Sequence, residues 1–135
     1  LMGRDQLFRW LITYLYAEVS DHELSQELLE ATFDRAQEME RIAPHEFKEQ
    51  AYMTGMFSML DLLFNTDMNK VLKDIRVDGS IIQAIQSKKG KLGKILRDVE
   101  ESQRLKLKKI FDKNYYKIDP VDIIFMLEKN NIPVN

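Results

Sequence analysis

The stretch "AYMTGMFSMLDLLF", residues 51–64, decides the fold. Ten of its fourteen residues are apolar, and the other four are Thr54, Gly55, Ser58 and Asp61. Thr54, Ser58 and Asp61 stand at i, i+4 and i+7, with Asn65 a further turn on. Residues three and four apart stack on one face of a helix, so these form a narrow stripe. A surface helix carries an apolar stripe on a polar cylinder. Here the pattern is inverted, which places this helix in the middle of a bundle. Small residues at 54, 55 and 58 let a neighbouring helix come close. Asp61 and Asn65 are expected to reach solvent or a backbone donor.

On either side the punctuation is sparse, with five glycines and three prolines in 135 residues. Leu7, Trp10, Leu11, Tyr14 and Leu15 recur at helical spacing over 4–18. Ser20 and Glu23 form a capping box that opens a second helix running to about Ile42. Its apolar face is Leu24, Leu28, Ala31, Phe33 or Thr32, and Met39. Pro44 suits the first turn of the central helix, over about 44–65. Thr66 or Asp67 caps a short helix through Ile75, and "VDGS" at 77–80 reads as a turn. Ile81, Ile82 and Ile85 belong to another short helix ended by Gly90. Residues 91–112 form a long basic helix with Leu92, Ile95, Leu96, Val99, Leu107 and Ile110 as a broken apolar set. "NYYKIDP" is a loop, and Asp119 with Pro120 opens a last helix to Leu127. No strand alternation is present. The expectation is an all-α bundle around the central helix.

Composition excludes several classes. At 44% apolar and 31% charged the chain is that of an ordinary globular domain, long enough to bury a core without staples. It has no cysteine, which rules out disulfides and thiolate metal sites. No run reaches the ~18 apolar residues of a membrane span, and no signal-peptide pattern opens the chain. A cytoplasmic protein without membrane contact is therefore expected.

The net charge of −2 is unevenly spread. From Glu18 to Glu49 there are ten acids and three bases, and from Lys88 to Lys113 ten bases and four acids. Such asymmetry suits a nucleic-acid contact or the solvated face of a long helix. The basic segment has only Phe111 as an aromatic and so lacks a stacking platform, and nucleic acid is not the expected partner. The two histidines, His22 and His45, each precede a glutamate, but no second histidine follows at i+4. They read as surface residues, with no catalytic arrangement. "KKGKLGK" at 88–94 lacks the spacing and the preceding strand of a Walker loop. Its lysines favour the C-terminal end of one helix and solvate the start of the next, with phosphate binding as the alternative.

Four segments, "LMGRDQLFRWL" (1–11), "RAQEMERIA" (35–43), "AYMTGMFSMLDLLFNTDMNKVLKDI" (51–75) and "IIQAIQSKKGKLGKIL" (81–96), together resemble the HDOD domain over roughly residues 1–104. HDOD domains are similar to HD-type metal-dependent phosphohydrolases that have lost the metal site. The version that follows a cyclic di-GMP phosphodiesterase (EAL) domain in bacterial signalling proteins is the nearest in flavour. Residues 114–135 follow the pattern poorly.

Catalytic HD domains have a central helix reading A-x-x-x-G-L-L-H-D-I-G. Aligned through Ala51 and Gly55, its histidine falls on Ser58 and its aspartate on Met59. An earlier histidine ligand falls near Ala31 or Thr32, and a later one in the 85–90 segment, which has no histidine. Serine and methionine supply neither an imidazole nor a carboxylate. The resemblance thus implies a filled metal pocket, no catalytic residues, no cofactor and no metal.

The resemblance further implies a partial HDOD-like domain over 1–113, with residues 114–135 as a loop and helix packed on it. The opening "LMG" is similar to an interior turn of the family, so the chain is expected to be an excised C-terminal piece of a longer protein. Its expected role is a regulatory module controlling an attached EAL-type domain, with homodimerisation as a further expectation. The interaction surface is expected at Leu7, Trp10, Leu11 and Tyr14, and at Lys88, Lys89, Lys91 and Lys94. The competing readings are a divergent HD phosphohydrolase using Asp61, His45 and Glu46 around a metal, and a helical nucleic-acid-binding module using Lys88–Lys113.

Overall fold

A computed structural model describes residues 22–64, 67–73 and 77–114, with isolated positions 3, 5, 6 and 9 before them. All elements among the described residues are helical: α1 His22–Ile42, a 3-10 turn His45–Phe47, α2 Lys48–Phe57, α3 Leu60–Phe64, α4 Met68–Lys73, α5 Gly79–Ser87 and α6 Gly90–Asn114. The all-α expectation holds. Of the helix expected over 4–18 only positions 5, 6 and 9 are described, each helical, while Ser20 and everything beyond Asn114, including the helix at Asp119, lie outside the described residues, as do the side chains of Glu23 and Leu24.

The middle of the fold is the antiparallel pair of α1 and α2, with α6 and α5 packed across it. α1 turns Leu28, Ala31, Thr32, Ala36 and Met39 inward, and α6 presents Leu92, Leu96, Val99, Leu107 and Ile110. Of the alternatives at 32 and 33, Thr32 is the buried one, its hydroxyl donating to Leu28 O at 2.7 Å, while Phe33 is half-buried. Lys48 ties the α1–α2 corner, its ammonium donating to the carbonyls of Glu40 (2.8 Å) and Arg41 (3.4 Å), which are among the unpaired carbonyls at the α1 C-terminus.

The central segment is buried as expected, from Met53 to Leu63 without interruption. Its closeness to α1 rests on Gly55: a Cβ there would stand 2.7 Å from Ala36 Cα and 2.9 Å from Ala36 N. The single helix expected over 44–65 is corrected to three pieces, the 3-10 turn, α2 and α3. The break falls at Ser58–Met59, where Met59 N donates to Met56 O at 3.3 Å. Ser58 Oγ donates to Gly55 O at 2.8 Å, a local bond that competes with the helical ladder.

The "VDGS" turn is also corrected. Asp78 is the N-cap of α5, accepting from Ser80 N at 2.9 Å and from Ser80 Oγ at 2.6 Å. Asp67 caps α4 in the same way through Asn69 N at 2.7 Å, whereas Thr66 lies outside the described residues.

Candidate functional site: a buried guanidinium where the stripe meets α6

The described part of the polar stripe lies inside the fold, and Asn65 lies outside the described residues. Thr54, Ser58 and Asp61 are all buried, and each is satisfied locally or across the core. Thr54 Oγ1 donates to Gln50 O at 2.7 Å, and Asp61 Oδ1 accepts from Leu62 N at 3.0 Å. Ser58 has a partner that the sequence reading missed. Arg35, with its side chain 0% exposed, reaches across from α1 and donates from Nη1 to Ser58 Oγ at 3.0 Å.

The rest of the guanidinium is held by α6. Arg35 Nε donates to Gln103 Oε1 at 2.7 Å, and Gln103 Nε2 donates in turn to Ala31 O at 3.0 Å. Glu100 Oε2 stands 4.0 Å from Arg35 Nη1, while its other oxygen, Oε1, is 2.8 Å from Lys88 Nζ. Glu100 is itself buried. Burial lowers the Arg35 pKa from the ordinary arginine value, and the charges of Glu100 and Asp61 act in the opposite direction. A buried charge is tolerated only when paired and hydrogen-bonded. Here two carboxylates face one guanidinium, with Lys88 balancing Glu100.

Lys88 sits between α5 and α6 in the left-handed region, φ 56, at the C-cap of α5, with its N–H donating to Ala84 O at 2.9 Å. It is the one positive-φ residue other than glycine among the described residues. Gly93 makes room for it, since a Cβ at 93 would run into the Lys88 backbone. A cavity of about 200 Å³ opens beside this cluster. Its floor is Ser58, Asp61 and Glu100, and the exposed Asp67, Asn69 and Gln86 lie nearer solvent, with the half-exposed Lys88 alongside.

The positions expected from the sequence divide accordingly. Ser58 lies on this cluster, while Met59 is wholly buried in the apolar core. Lys89, Lys91 and Lys94 are exposed, and Lys91 Nζ lies 5.8 Å from the centre of the Phe47 ring. Leu7, Trp10, Leu11 and Tyr14 lie outside the described residues. His45 and Glu46 are exposed on the 3-10 turn and Asp61 is buried in α3. No group of three or more His, Asp or Glu able to hold a metal forms among the described residues, so the Asp61, His45 and Glu46 ligand set is not assembled. The Arg35 cation lies in this cluster instead, its charge favoured by Glu100 and Asp61.

Part of the charge asymmetry closes on itself. Lys106 of α6 pairs with Asp34 of α1, and Lys113 with Glu27 at 3.2 Å. No helix among the described residues is long and apolar enough to cross a membrane.

Fold and site define an all-α bundle centred on a buried arginine cluster. The chain is 32% identical over 104 residues to the cyclic di-GMP phosphodiesterase CdgJ of Vibrio cholerae serotype O1, a match covering 74% of this chain and 24% of that protein. It thus spans about a quarter of the length of the curated relative it matches. No family model and no solved structure matches it.

Proposed function

We propose that this chain is a regulatory module of the HDOD type in a bacterial cyclic di-GMP signalling protein, and that it sets the activity or dimerisation of an attached EAL-type phosphodiesterase domain without chemistry of its own. The similarity to part of CdgJ supports the signalling context. The observation that carries the reading is Arg35. On the HD pattern the metal-binding histidine aligns with Ser58, and Ser58 is the residue that takes the Arg35 Nη1 hydrogen bond. An internal cation bonded to Ser58 and Gln103 joins α1, α6 and the α2–α3 break, the cross-linking work a metal would do.

A module of this kind acts by contacting its neighbour differently in two states. Coupling of ~1–3 kcal/mol changes a partner activity about 5–150-fold. The test is cyclic di-GMP turnover and mass per particle of the parent protein with and without these 135 residues. A change in either is expected. Equal turnover and equal mass across protein concentrations would remove the regulatory role.

A further inference from the structure

Glu100 divides its two oxygens between unequal partners. Oε1 is 2.8 Å from the Lys88 ammonium, whereas Oε2 is 4.0 Å from Arg35 Nη1, beyond hydrogen-bond length. Arg35 Nη2 is buried and has no hydrogen-bond partner among the described residues. A buried donor left unmet is costly, and a carboxylate that faced Nη1 and Nη2 together would satisfy it in the two-pronged geometry that arginine favours. Glu100, with Oε1 on Lys88 and Oε2 4.0 Å from Nη1, must shift toward Arg35 to reach that geometry. The carboxylate thus has two seats, one nearer Lys88 and one nearer Arg35, and the structure holds it in the first.

We propose that Glu100 is a two-seat relay that carries events at the exposed Lys88 turn to the buried Arg35 guanidinium. The Lys88 side chain is 33% exposed, so an anionic group that reaches its ammonium competes with Glu100 for it. Once Lys88 is drawn off, a carboxylate only 5% exposed has one cation left to turn to. It moves to Arg35, and the change reaches α1 and, through Ser58, the α2–α3 break. The Lys88 backbone, packed on Gly93, stays in place while the side chain swings. The anion binds the second state better because only there is Lys88 available, which is the differential contact a shift of population requires. The relay takes its purpose from the regulatory reading above, but its geometry stands independently of it.

The experiment uses Lys88→Met in the 135-residue chain, which withdraws the ammonium permanently. Glu100 oxygens are expected at about 2.7–2.9 Å from Arg35 Nη1 and Nη2 in its crystal structure. Exchange of the Arg35 guanidinium protons with water, read by nitrogen-15 NMR, is expected to slow by about tenfold or more. Lys88→Met placed on a Glu100→Gln background is expected to leave Arg35 exchange as it is in Glu100→Gln alone. A Glu100 that stays 4 Å from Arg35 or turns to solvent overturns the relay, and so does equal slowing in both backgrounds. The Glu100–Arg35 distance in the single variant decides the matter even if Glu100→Gln fails to fold. None of these readouts involves cyclic di-GMP, so their failure is separable from failure of the turnover test on the parent.

Discussion

Gly55 and Ala36 are in backbone contact: a Cβ on Gly55 would lie 2.7 Å from Ala36 Cα, closer than real Cβ atoms come to anything. The atoms in the way belong to the α1 backbone and cannot rotate aside. Gly55→Ala is therefore expected to destabilise the fold even though alanine is the better helix former. The expected cost is roughly 1–3 kcal/mol, and more for Gly55→Leu, as for other overpacked cores. Urea unfolding checks this, and an unchanged midpoint for Gly55→Leu would mean that α1 and α2 do not pack as described.

Arg35→Ala strands a buried carboxylate and opens a cavity. Glu100 keeps only Lys88, while Gln103 Oε1 and Ser58 Oγ lose their donor. Breaking a buried ionic cluster at one partner costs about 3–5 kcal/mol. By contrast, Lys106→Ala removes an ion pair whose side chains are about half exposed and is expected to cost less than about 1 kcal/mol. Denaturant titration of both variants against the parent chain gives the comparison.

Asp78 provides one pH-dependent contribution. The hydrogen bonds from Ser80 hold its carboxyl below the ordinary carboxylate value. A carboxyl depressed in the folded state stabilises above its unfolded pKa, and that stability is lost as pH falls through the folded value. Asp78→Ala is expected to lose the N-cap, about 1 kcal/mol near neutral pH. The difference between variant and parent should shrink on acidification and vanish below the depressed value. Thermal unfolding from neutral to strongly acid buffer reads the trend, and a difference that grows toward acid would refute the cap.

Divalent metal is expected to leave the fold alone. Arg35 carries the positive charge facing Glu100 and Asp61, and a second cation there meets repulsion rather than ligands. Melting temperatures with millimolar manganese, with zinc and with chelator should agree. A rise that saturates with metal and disappears in Arg35→Met would show a metal competing for the cluster.

The sequence showed the bundle and the depth of its central segment because apolar periodicity carries that information directly. Ten apolar residues in fourteen leave no surface for water, and Ser58 and Thr54 are buried with them. The break at Ser58–Met59 was not legible, because it depends on which carbonyl the Ser58 hydroxyl chooses. Arg35 is masked in the sequence by the ten acids of 18–49. Yet Leu28, Ala31 or Thr32, Arg35 and Met39 fall at helical spacing, which places the arginine on the apolar face. Gln103 and Glu100 lie in the same register between Val99 and Leu107. A polar residue in a core register was the available signal. Its partners, 68 and 23 residues away, come only from tertiary structure. "VDGS" is ambiguous in the sequence because Asp-Gly-Ser serves a turn and an N-cap equally, and only the α5 apolar face separates the two.

The same two separations set an order of assembly. Contacts between residues near in sequence close quickly, and distant ones wait for the intervening chain to be arranged. The α1–α2 hairpin brings Arg35 to Ser58 across 23 residues, whereas α6 must return across 68 to deliver Gln103. A guanidinium buried before Gln103 and Glu100 are in place would lack its partners, so its loss of water is expected to coincide with their arrival. Substitutions at Gln103 should accordingly hasten unfolding and leave the folding rate nearly untouched, while those at Gly55 should slow folding. The arginine at the centre of the finished core is thus among the last groups to dry.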